Sequence, residues 1–198
     1  WDYPSTDVGG SYLMHVAADG STIASIDLSA ANSGDTEDGM DSNISSFAVD
    51  AAGNLYVSDY NNVYVLDAGG KVQFKLDDSQ YNGSLSRLSA DQVGILWYNY
   101  TGDENSSDEN GEFFIPIDLE AKDWGEKTKM PANVWSIYPG DDTYDFYYNY
   151  NSNIYGYSFK TDTRDKLVDW MACDVDTNNM NGYAMLSDSR VAGLLQDW

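Results

Sequence analysis

The feature that most constrains this chain is a repeat. Short runs rich in β-branched and aromatic residues alternate with turns, and helical periodicity is nearly absent. The clearest stretch covers residues 46–76. Ser46-Phe47-Ala48-Val49-Asp50 reads as a strand, and Ala51-Ala52-Gly53-Asn54 as a turn in which Gly and Asn supply positive φ. Leu55-Tyr56-Val57-Ser58 and Val63-Tyr64-Val65-Leu66 read as the next two strands. The turn Asp67-Ala68-Gly69-Gly70 leads to a fourth, Lys71-Val72-Gln73-Phe74-Lys75-Leu76. The unit recurs: Tyr60-Asn61-Asn62-Val63-Tyr64-Val65-Leu66 matches Asn151-Ser152-Asn153-Ile154-Tyr155-Gly156-Tyr157. From Phe47 through Arg87 and Trp135 to Tyr183, the first strand returns in steps of 40, 48 and 48 residues. Four strands in a period of roughly 40–50 residues is the signature of a β-propeller blade.

The expected architecture is therefore all-β: a β-propeller of about four four-stranded antiparallel blades, as one domain or fragment over residues 1–198. Blade-like units fall at about 45–77, 85–119 and 133–169. Residues 11–28 read as the outer two strands of a further blade and residues 180–195 as the inner two. The chain is then either a small ring closed by mixing its ends or an arc of a larger ring. The arc is the preferred reading, and it must hide two open blade faces by self-association. Ile95-Leu96-Trp97-Tyr98 and Tyr144-Asp145-Phe146-Tyr147-Tyr148 carry bulky residues toward both faces, as strands covered on both sides do.

Composition bounds function more than fold. Against 33 Asp and Glu stand 10 Lys and Arg, giving a net charge of −23. Such a field repels phosphate backbones, so nucleic acid is not an expected partner. No run approaches the roughly 18 apolar residues of a membrane span, so membrane insertion by this segment is not expected. Hydrophobic residues at 42% and aromatics at 14% are too many for a disordered acidic tail. The single cysteine, Cys173, rules out an intrachain disulfide and reads as a buried or idle thiol. The start at Trp1 and the finish at Gln196-Asp197-Trp198 read as a piece or processed form of something longer. High acidity with abundant Asn, Ser, Tyr and Gly suits an extracellular bacterial cell surface. The sequons at Asn43, Asn82, Asn99 and Asn105 read as compositional.

Few constellations carry chemistry. Asp174-Val175-Asp176-Thr177-Asn178-Asn179 resembles the start of a calcium loop, with Asp174, Asp176 and Asn178 offering hard oxygen ligands for Ca²⁺. Asn179 stands where that pattern wants glycine and Met185 where it wants a carboxylate, so a plain Asx-rich turn is the competing reading. The acidic stretch from Asp103 to Glu112 reads as a solvated hairpin loop. His15, the only histidine, can build neither a multi-histidine zinc site nor a triad, because no Gly-x-Ser-x-Gly elbow accompanies it. There is no P-loop and no dinucleotide fingerprint. The 16 tyrosines are the main resource. Aromatic faces stack on sugar rings, but they also fill the interfaces between sheets. Trp97, Tyr100, Trp135, Tyr148 and Tyr150 are the candidate ligand-binding residues.

The run Tyr147-Tyr148-Asn149-Tyr150-Asn151-Ser152-Asn153-Ile154-Tyr155-Gly156-Tyr157 continues through Lys166-Leu167-Val168-Asp169-Trp170, Cys173-Asp174-Val175-Asp176 and Leu186-Ser187-Asp188-Ser189-Arg190-Val191. It resembles the propeller-like N-terminal region of large surface lipoproteins of gut Clostridia, which carry an ABC-type extracellular solute-binding domain further along. The resemblance implies a Gram-positive cell surface and a part in nutrient capture. It supplies no catalytic residue, and the solute-binding domain itself is not in this sequence.

Two functions from different classes remain. One is a non-catalytic binding or scaffold propeller that takes an extracellular carbohydrate or peptide, or the remaining domains of a larger parent protein. The other is a carbohydrate-active hydrolase or lyase, which needs two carboxylates about 5–10 Å apart in a cleft beside aromatics. No residue stands out as catalytic, so a non-enzyme is the expectation.

Overall fold

The computed structural model of the chain describes residues 12–28, 44–59, 62–77, 81, 83–99, 110–134, 136–151, 153–169, 172, 180–185 and 191–195. These residues form seventeen strands and no helix, and every pairing is antiparallel. The all-β antiparallel class is thus observed; among the described residues no sheet closes on itself. The described residues of 1–49 and 53–80 make one compact unit, and those of 50–52 and 81–198 another.

In the first unit, β1 (Tyr12–Val16) and β2 (Thr22–Asp27) form a hairpin. β3 (Ser46–Val49), β4 (Leu55–Ser58), β5 (Asn62–Leu66) and β6 (Val72–Asp77) pair in chain order as a four-stranded sheet. Leu55 faces Leu66 and Val57 faces Tyr64 across the central pair. Those four side chains are buried with Leu28, and Leu13 and Ile26 of the hairpin pack against them. The opposite face of the same strands buries Tyr56, Val63 and Val65. Burial on both faces explains why the central strands lack a polar-out alternation.

Two hairpin turns of this unit, β1–β2 and β5–β6, are built alike. Over residues 17–21, the Gly20 amide donates to the Ala17 carbonyl at 2.9 Å and the Ala17 amide to Ser21 at 2.8 Å. Over residues 67–71, Gly70 donates to Asp67 at 2.8 Å and Asp67 to Lys71 at 3.0 Å. The glycines have φ of 84° and 83°, a left-handed conformation that only glycine adopts freely. In each hairpin the register slips at the strand end before the turn, between His15 and Val16 and between Val65 and Leu66. The Ile26 side chain sits so close over Gly70 that a Cβ there would lie 2.2 Å from it.

In the second unit, β7 (Gly83–Arg87), β8 (Val93–Asn99) and β9 (Gly111–Asp118) form a sheet whose fourth position is split between β10 (Asp123–Trp124) and β11 (Thr128–Lys129). The split falls beside Pro116, which has no amide to donate. Its carbonyl still accepts from Gly125 at 2.8 Å. β12 (Ile137–Pro139), β13 (Phe146–Tyr150), β14 (Asn153–Ser158) and β15 (Thr163–Asp169) form the next sheet, and β16 (Met180–Met185) and β17 (Val191–Leu195) a separate hairpin. The strand expected to begin at Tyr144 begins at Phe146. The Asp141 carboxylate accepts the Thr143 and Tyr144 amides, at 2.8 and 3.1 Å, and holds that segment as a turn.

One core joins these two sheets. Leu96 and Phe114 of the first are buried with Phe146, Tyr148 and Tyr157 of the second, and Leu88, Met130, Val134 and Ile137 complete the cluster. Within the first sheet Gly94 of β8 lies tight against β9: a Cβ there would lie 2.2 Å from the Ile115 carbonyl oxygen. At Gly156 the Tyr144 ring lies on bare backbone, where a Cβ would fall 2.5 Å from the ring. Phe114→Ala should then cost about 3–5 kcal/mol, and Ser84→Ala, on an exposed position of β7, less than about 0.5 kcal/mol. Urea denaturation of the two variants checks this contrast.

Candidate functional site

The residues proposed from sequence fall in different places. Trp97 lies on β8, and Tyr148 and Tyr150 lie on β13. Tyr100 and Trp135 lie outside the described residues, as do the calcium candidates Asp174, Asp176 and Asn178.

Trp97 is the centre of an aromatic cluster on the face of its sheet opposite the core described above. Register explains the placement. Trp97 pairs with Phe113 of β9 and with Gly83 of β7, so Gly83 puts no side chain beside the indole. The Tyr81 ring meets Trp97 edge-on at 5.2 Å and Trp124 edge-on at 5.3 Å. Phe113 lies tilted at 5.7 Å from Trp97. The Lys127 ammonium stands 5.0 Å from the Phe113 ring centre and 5.8 Å from that of Trp97, within cation–π range. Phe113 is buried, whereas Tyr81, Trp97 and Trp124 are half-buried and Lys127 is exposed. The arrangement offers two indole surfaces, a phenol and an ammonium to something arriving from solvent.

Sequence reasoning found Trp97 but not its partners. The pairing of Trp124 with Ile117 across β9 and β10 places it on the Trp97 face, a long-range register that no local motif states. Tyr81 carried no local signal, because the turn chemistry around it does not state which face its ring will take.

Tyr148 and Tyr150 belong to a second group. Tyr148 stacks on Tyr155 at 5.5 Å, Tyr150 lies 6.4 Å from the same ring, and the Arg164 guanidinium stands 5.8 Å over it. Tyr148 is fully buried and its hydroxyl meets no hydrogen-bond partner among the described residues. Burial therefore pushes its ionisation up, opposed by the nearby Arg164. This group packs the core more than it faces solvent.

Asp50, Asp59 and Glu112 are the three buried carboxylates among the described residues, and the last two anchor loops. Asp59 accepts the Asn62 amide at 2.7 Å, and Glu112 accepts the Asn133 amide at 3.0 Å. His15 is exposed on β1 and lines an apolar cleft of about 450 Å³ in the first unit, with Leu13, Ile26, Phe47, Val49 and Leu55. No helix among the described residues is long and apolar enough to cross a membrane. Comparison with protein-family models, with curated proteins and with solved structures finds no match to the chain.

Tyrosine ionisation gives a direct readout of the second sheet. Burial, and donation to the Asp162 carboxylate at 2.6 Å, push Tyr157 up to about 12. The unfolded chain loses the same proton near pH 10. Between those values the unfolded state binds fewer protons, so stability falls as pH rises from about 10 to about 12, and this group adds no slope below 10. Tyr157→Phe should flatten part of that fall, and absorbance titration of the phenolates should lose one component titrating near 12.

Proposed function

We propose that the chain is a non-catalytic binding module of an extracellular bacterial surface protein, built as a propeller-like stack of four-stranded sheets, and that it takes a carbohydrate. The observation that carries this reading is the cluster of Tyr81, Trp97 and Trp124, three half-buried aromatic rings in which Tyr81 meets the two indoles at 5.2 and 5.3 Å. Aromatic side chains of this kind present an apolar face and a polar tip, as the ring and hydroxyls of a sugar require. Lys127 adds three donors beside the rings.

The repeat of four-stranded antiparallel sheets supports the propeller, and the acidity supports a surface location. The family resemblance would make the role solute capture, beside the remaining domains of a lipoprotein. A hydrolase or lyase is the weaker reading, because the sequence carries no recognisable catalytic motif.

The test is titration of the folded chain with a panel of neutral oligosaccharides, read by tryptophan fluorescence and calorimetry. At least one should bind, and Trp97→Ala should weaken it about tenfold or more, the scale of a hot-spot aromatic. Tyr150→Ala should leave the affinity within about threefold, since that ring sits in the other group. A panel without heat or emission change sinks the carbohydrate reading. Release of shortened sugar would move the chain to the hydrolase class.

A further inference from the structure

The hairpin β1–β2 and the hairpin β16–β17 are complementary halves of one sheet type. In each complete four-stranded sheet the second strand pairs antiparallel with the third: β4 with β5, and β13 with β14. The turn, the glycine conformation and the register slip described above make β1–β2 equivalent to β5–β6, a third-and-fourth strand pair. The sequence step from Trp135 to Tyr183 makes β16–β17 a first-and-second pair. Among the described residues β1 pairs only with β2, and β17 only with β16.

Burial shows what the first hairpin lacks. β5 is buried from Val63 to Leu66, with Val63 and Leu66 at 0% exposure. Its counterpart β1 exposes Tyr12 at 43%, Met14 at 59% and Val16 at 48%, and Ile23 of β2 is 58% exposed. A strand that the repeat makes central is here an edge with an open apolar face. Such an edge is a template for another strand, and its register is fixed by the sheets already present.

We propose that β17 of one copy of the chain pairs antiparallel with β1 of a second copy, building a four-stranded sheet across the two molecules. The occupant follows from the repeat: β1 requires a second strand, and the chain itself carries one with an open edge. The contact joins two different surfaces, so it is head-to-tail and continues into a ring or an open string. It does not depend on the carbohydrate reading.

Sedimentation velocity from low-micromolar to the highest soluble concentration tests this. The wild-type chain should move from its 22.0 kDa monomer mass to multiples of it as concentration rises. A variant carrying Met14→Lys and Val16→Lys places two charges on the exposed face of β1 and should be monomeric. Gly193→Pro in β17 removes a backbone donor from that strand and should also be monomeric. Mixed in equal amounts, the two variants should form a heterodimer of twice the monomer mass and nothing larger, because one competent β17 and one competent β1 remain between them. Far-UV circular dichroism establishes that each variant keeps the wild-type fold. A wild-type chain that stays monomeric throughout overturns the proposal, and that outcome alone decides it if a variant misfolds. A mixture of folded variants that stays monomeric overturns it equally.

Discussion

The second unit depends on one layer contact. Leu96 and Phe114 of one sheet meet Phe146, Tyr148 and Tyr157 of the next, all with less than 8% of their surface exposed. Burying a large apolar side chain stabilises by roughly 1.5–3 kcal/mol, so this handful of residues outweighs the exposed polar contacts around it. The Lys166–Asp169 ion pair, at 2.7 Å on the exposed β15, is of the class worth about 0–1 kcal/mol. The layer contact also dictates the tyrosine chemistry. A phenol placed in that core for its ring brings a hydroxyl along, and the fold meets the cost unevenly. Tyr157 donates to Asp162 and Tyr98 to the Val134 carbonyl, while the Tyr148 hydroxyl finds no partner among the described residues.

Charge takes a subordinate part in the fold and a structural one locally. With a net charge of −23, repulsion between carboxylates opposes compaction. Many described carboxylates are used as turn caps, each accepting backbone amides. Asp19 accepts from Ser21, Asp67 from Gly69 and Lys71, Asp118 from Glu120 and Ala121, and Asp141 from Thr143 and Tyr144. For Asp19, hydrogen bonds from the Ser21 hydroxyl and then its amide hold the carboxyl below the usual carboxylate range. At these described corners aspartate supplies the acceptor that the turn amides need.

That chemistry is also why much of the fold was legible in the sequence. The strands from Ser46 to Asp77 were readable because Gly53, Gly69 and Gly70 punctuate runs of β-branched and aromatic residues. The split of the fourth strand into β10 and β11 was not, since it arises from the missing amide of Pro116 at long range. The candidate site was legible by half. Trp97 could be named as a large aromatic on a strand, but Tyr81 and Trp124 reach it only through the β7–β8–β9 register and the β9–β10 turn. Tyr148 shows the converse limit. When both faces of a strand carry bulky residues, a period of two says that faces alternate but not which one meets solvent.

The shared construction of the two turns in the first unit has a consequence for how such a chain can grow. Gly20 and Gly70 fix the same corner, the same register slip and the same strand offset in hairpins fifty residues apart. The unit of repetition is thus the two-stranded hairpin, which sets its own register but needs a neighbouring strand pair to cover its apolar face. Duplicating or transplanting a gene segment one hairpin long would preserve every hydrogen-bond register inside it. Lineages could therefore lengthen or shorten the array in half-sheet increments.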